Sequence, residues 1–159
     1  MTDSAAPSPL GPLAPFAGIW RGSGTGHYPT IDDFTYTEEI ELSPPPGKPF
    51  LFYRSRTWDG DDGRPLHTET GYLRSAGEQV ELLIVQPTGF VEIQRAPLAD
   101  GVLDFTELIL GASPDAKDVK SVRRRFVLDG DELSYDMWMA FAHVPMTHHL
   151  NARLHRVTD

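Results

Sequence analysis

The stretch GIWRGSGTGHYPTI, residues 18–31, sets four glycines around a single tryptophan. Gly18, Trp20, Gly22, Gly24 and Gly26 share one parity. If the segment is a strand, one face carries a large indole followed by three positions without side chains. Glycine inside a strand costs stability and marks a bend or a close approach. The pattern therefore predicts a first strand that curls, with room on that face for another backbone or a flat ligand. Trp20 would plug one end of whatever the strand closes.

Outward from this stretch the chain keeps period two. Tyr36, Ile40 and Leu42 alternate with Thr37, Glu39 and Glu41, and Leu133, Tyr135, Met137, Met139 and Phe141 share a face. The same rule predicts strands over 50–58, 68–74, 79–85, 89–95, 102–110, 119–128 and 148–156. Turn signals such as SAGE (75–78), ADG (99–101) and DGDE (129–132) separate them, and only residues 10–16 could hold a helical turn. With 14 glycines and 14 prolines spread along 159 residues, this reads as one all-β domain. A sandwich and a closed barrel both suit nine or ten short strands. The short connections favour an antiparallel up-and-down barrel of about ten strands, lipocalin-like or fatty-acid-binding-protein-like, which removes exposed edges and is wide enough to hold a ligand. Residues 1–12 read as a flexible N-terminal arm and 13–159 as the barrel.

Composition narrows the function. A net charge of −9 opposes nucleic acid and anionic membrane surfaces. The absence of cysteine removes disulfides, thiolate metal sites and covalently attached haem. No basic leader with an apolar run is visible, so a cytoplasmic location is expected. Nucleophile elbows, phosphate loops and zinc helices are missing. The acidic loop DGDDG lacks calcium-ligand spacing.

An ordered series of motifs adds more. GIWRGSG (18–24), YPTI (28–31), GKPF (47–50), LHTETGYLR (66–74), DGDELSY (129–135) and LHR (154–156) together resemble the nitrobindin family, the haem-binding ten-stranded barrels also described as peroxynitrite isomerases. The resemblance runs from about Leu13 to Arg156. It implies one non-covalent, ferric haem b per chain at the barrel mouth, bound by one histidine of the last strand. His155 takes that place on the LHR motif, as metal ligand. Peroxynitrite would be isomerised to nitrate at the open iron face, and nitric oxide would bind there too.

Parity sets His155 with Arg153, Asn151 and His149, opposite Leu154, Ala152 and Leu150. Either the interior is polar at that end or a bulge shifts the register. His149 is the rival ligand, while His148 points the other way. Thr30 and Lys117 are candidates for the haem propionates, and His67 and Gln86 for the cavity wall. His27 and His143 read as turn or edge residues. Arg123, Arg124 and Arg125 read as a strand with one charged face, and Met137 and Met139 as packing. A homodimer through exposed strands is expected. The alternative function is a non-catalytic lipocalin-like barrel that binds an apolar small molecule.

Overall fold

The computed structural model describes residues 8–158. Eleven strands follow a short 3-10 turn at Gly11–Phe16: β1 (Gly18–Tyr28), β2 (Ile31–Ser43), β3 (Phe50–Asp59), β4 (Pro65–Ala76), β5 (Gln79–Val85), β6 (Phe90–Ala99), β7 (Val102–Asp104), β8 (Glu107–Ala112), β9 (Val119–Asp129), β10 (Glu132–Phe141) and β11 (Val144–Arg156). All pairings are antiparallel. β1 bonds to both β2 and β11, and the β5–β6 ladder closes the sheet on itself.

The expected single strand over 102–110 is divided. β7 pairs with β6 and β9, β8 pairs with β6, and the two share one position in the wall. Phe105, between them, turns inward and is fully buried, because its ring packs edge-on against Phe126. The barrel thus has ten strand positions, as the period-two pattern predicts.

Inward positions divide into an apolar base, a polar middle storey and an open mouth. The base is apolar: Trp20, Leu42, Leu51, Leu103 and Leu133 meet there beneath Leu13 and Phe16 of the 3-10 turn. Trp20 is its plug. The indole is fully buried, donates Nε1–H to the Phe16 carbonyl at 2.9 Å, and lies 4.3 Å below the Arg156 guanidinium. The arm expected through residue 12 includes Leu10, which packs on the base. Leu10 is buried in the core and its carbonyl accepts from the Leu13 amide, while residues 1–7 lie outside the described residues.

The glycine face of β1 serves neighbouring rings. A Cβ on Gly26 would stand 2.1 Å from the Phe34 ring, and one on Gly24 would stand 2.4 Å from Tyr36. Both rings come from β2, paired with those glycines in register. The aromatics lean across β1 into the space that the glycines leave.

No described helix is long and apolar enough to cross a membrane.

Candidate functional site

Above the apolar base lies a cavity of about 600 Å³ that opens at the other end of the barrel, a size that suits a small molecule or cofactor. Thr30, His67, Gln86 and Lys117, all expected at the site, line it together with His149. Thr30 sits in the β1–β2 turn and Lys117 before β9, both exposed at the rim. His67 is on β4, and Gln86, just past β5, is buried.

His155 is the correction. It lies near the base end of β11, opposite Arg21 of β1 and Glu132 of β10, and its side chain is exposed on the outer wall. Leu154 and Ala152, of the opposite parity, fill the interior there. Simple alternation from Leu150 would also send His149 outward. A bulge prevents this: Met137 faces Leu150 and Trp138 faces His148, so His149 is the extra residue. The irregularity turns it into the cavity beside Leu150.

His149 is then held in one tautomer. Its Nδ1 lies 3.0 Å from the carbonyl of His27, which can only accept, so Nδ1 carries the proton. Nε2 has no partner among the described residues and keeps its lone pair. Burial pushes the imidazole below its usual range, which favours the neutral form. Phe34 and Tyr28 set their ring edges against it. Behind it runs a second chain of contacts. His27 Nε2 meets His148 Nδ1 at 3.0 Å, and His148 Nε2 meets Asp136 at 2.8 Å, where Asn151 also donates. His27 and His148 are therefore braced on the outside of the wall, and they fix the carbonyl that orients His149. The donor set suits a porphyrin metal: one neutral imidazole with a free Nε2, an apolar mouth of Phe34, Leu66, Phe90, Met139, Phe141 and Leu150, and a rim lysine for a carboxylate.

The middle storey is polar. Arg124, which alternation set apart from its neighbours, points inside and is buried. Its guanidinium donates to Glu69 at 2.9 and 3.2 Å and to Glu92 at 3.0 and 2.9 Å. Gln86 donates to the same two carboxylates, and Tyr53 donates to Glu69 at 2.5 Å. Across the cavity, Ser55 and Tyr135 donate to Glu38 at 2.5 and 2.6 Å, and Tyr36 bonds Tyr135 at 2.8 Å.

The electrostatics divide accordingly. Burial raises Glu69, but Arg124 and His67 outweigh it and hold the carboxyl well below the usual range. Burial pushes Glu38 up to about 7, against the Ser55 and Tyr135 bonds. The Glu69 carboxylate, 3.3 Å from His67 Nε2, raises that imidazole. Sequence reasoning missed this storey, although its signal was present: Glu38, Glu69, Glu92 and Arg124 all carry inward parity.

Comparison with known proteins agrees with this architecture. The family model described as the THAP4-like, heme-binding beta-barrel domain matches residues 9–156. Peroxynitrite isomerase 1 of Rhodococcus jostii is 57% identical over 145 residues, covering 91% of this chain and 82% of that protein. Peroxynitrite isomerase of Nocardia farcinica is 48% identical, covering 91% and 88%. The crystal structure of Rv2717c from M. tuberculosis superposes with a TM-score of 0.86 at 39% identity, covering 97% of this chain and all of the other. With its inward histidine, apolar mouth and closed ten-position barrel, the chain belongs to the THAP4-like, heme-binding β-barrel family, the nitrobindins.

Proposed function

We propose that this chain is a haem-dependent peroxynitrite isomerase that carries one non-covalent ferric haem b and also binds nitric oxide. The observation that supports it is the bulged His149, with its proton fixed on Nδ1 and Nε2 free at the cavity mouth. His149 takes the ligand role that the family resemblance lent to His155. Relatives at 57% and 48% identity that bear the isomerase name support the reaction. A cytoplasmic location is part of the same reading.

Bound haem, held by His149, would supply a Lewis-acidic iron for the reaction of the peroxynitrite anion. The chain does the rest. His27 holds the His149 proton at Nδ1, so the imidazole would meet the metal neutral. Phe34, Phe90, Met139 and Leu150, which line the mouth, would exclude water from a bound porphyrin. Thr30 and Lys117 at the rim would bind and orient the propionates. His67, kept protonated to higher pH by Glu69, adds positive charge where an anionic substrate enters. For the homodimer, the supporting feature is an outer apolar row in register across five strands, Phe52, Tyr72, Leu83, Ile93 and Ile109.

The test is a hemin titration followed by stopped-flow decay of peroxynitrite. Wild type and His155→Ala should give the same Soret band and the same nitrate yield, and His149→Ala should lose both. A band that survives His149→Ala but disappears in His155→Ala would overturn the assignment.

A further inference from the structure

Haem binding at the mouth leaves the tyrosines beneath it without a role. Tyr28, Tyr36, Tyr53 and Tyr135 line the cavity, and Tyr72 is exposed on the outer wall. Tyr36 and Tyr135 belong to one directed hydrogen-bond chain. An ionised Glu38 can only accept, so Tyr135 commits its single proton to that carboxylate at 2.6 Å. Tyr36 must then donate to the Tyr135 oxygen, at 2.8 Å. All three side chains are buried, and Ser55 holds the other Glu38 oxygen at 2.5 Å.

A phenol that gives up an electron also gives up its proton, so an oxidisable tyrosine needs a base within hydrogen-bond reach. Glu38 is such a base. It forms no ion pair among the described residues, and burial raises its carboxyl to about 7, so it holds a proton more firmly than an ordinary carboxylate. Tyr53 is less well served. It donates to Glu69, which Arg124 and His67 hold well below the usual range against the effect of burial, and that carboxylate is a poor proton acceptor. Tyr28 donates to the Met139 carbonyl, which is not a base. Ring contacts also join the pair to the mouth: the Phe34 ring centre lies 6.4 Å from the His149 imidazole and 6.0 Å from the Tyr36 ring.

We propose that Tyr135, with Tyr36 and Glu38, is a buried one-electron donor that reduces nitrogen dioxide, the neutral radical formed when the O–O bond of peroxynitrite breaks homolytically. The source of that oxidant rests on the function proposed above. An uncharged radical crosses the apolar mouth at little desolvation cost. The Tyr135 O–H bond then breaks. Its electron passes to nitrogen dioxide, giving nitrite, and its proton passes to the Glu38 carboxylate, giving the acid. The phenoxyl oxygen keeps the hydrogen bond from Tyr36. A one-electron reductant such as ascorbate restores the electron, and Glu38 returns the proton.

The test supplies the oxidant directly, by pulse radiolysis of nitrite in nitrous-oxide-saturated buffer, with the full chain hemin-free and hemin-loaded. Freeze-quench electron paramagnetic resonance reads the tyrosyl radical. Excess nitrogen dioxide adds to the ring of a radical already formed and marks that residue as nitrotyrosine for mass spectrometry. The expected result in wild type is a radical and a nitro label on Tyr135 in preference to the exposed Tyr72. Tyr135→Phe should lose the radical, Glu38→Gln should form it about a hundredfold more slowly, and Tyr53→Phe should leave it unchanged. The wild-type label decides the matter even where a variant fails to fold. A label confined to Tyr72, or a folded Glu38→Gln chain that forms the radical at the wild-type rate, overturns the inference and leaves the haem site intact. A Tyr135 radical in a chain that takes up no hemin upholds the inference and sinks the haem reading alone.

Discussion

Replacing Glu38 by glutamine should change how stability depends on pH more than it changes stability itself. The carboxyl is wholly buried and its pKa is raised from 4.5 to about 7, chiefly by burial. A raised acid binds its proton more tightly in the folded chain than in the unfolded one. Below about pH 4.5 both states hold the proton, and the contribution is fully present. Between 4.5 and about 7 the unfolded chain has lost its proton while the folded chain retains it, so wild-type stability falls as pH rises. Above 7 both are ionised and no more is lost. At ~1.4 kcal/mol per pH unit the whole window is worth about 3 kcal/mol. Glutamine has no proton to lose and keeps an acceptor for Ser55 or Tyr135. The difference in unfolding free energy, variant minus wild type, should therefore rise by about 3 kcal/mol from pH 4.5 to pH 8. Urea titrations at half-unit steps measure it, and taking the difference cancels every other titrating group. Parallel profiles, with a constant offset across the window, would refute the reasoning and mean that Glu38 ionises as an ordinary surface carboxylate does.

Arg124→Met should cost about 3–5 kcal/mol in chemical denaturation, because Glu69 and Glu92 are left buried without their cation. Adding Glu69→Gln and Glu92→Gln should recover most of that loss. Gly26→Ala should destabilise by about 1–3 kcal/mol, since its Cβ would meet the Phe34 ring at 2.1 Å. The double variant with Phe34→Leu should lose less than the two single changes together, as a thermal-melt cycle would show.

The fold was legible because a barrel wall repeats one rule. Each strand has period two, and each break is a Gly, Pro or Asp turn, so ten positions follow from local pattern alone. Trp20 was readable as the plug for the same reason. The split at Phe105 was not, because a residue that drops inward between two half-strands leaves no local mark. The site was harder, and the cause is specific. Parity on β11 sets His149 and His155 on one face, and no sequence signal separates them. A single extra residue opposite the Met137–Trp138 step does so in the structure, by turning one ring inward and leaving the other outside. The resemblance pointed to a histidine of the last strand, and the structure turns His149 of that strand, not His155, into the cavity.

The buried charges teach the opposite lesson. Alternation already put Glu38 on the face of Tyr36 and Ile40, and Arg124 on the face of Val122 and Phe126. Each alone reads as an exception to be explained away, because a lone buried charge is prohibitively costly. Only the three-dimensional ladder shows that the exceptions stand level with one another. Glu69 of β4, Glu92 of β6 and Arg124 of β9 come from strands far apart in sequence, and closure of the barrel brings them within hydrogen-bond reach. A carboxylate at inward parity on one strand therefore predicts a partner at inward parity on another. In this chain that rule points from the sequence to the polar storey of Glu38, Glu69, Glu92 and Arg124.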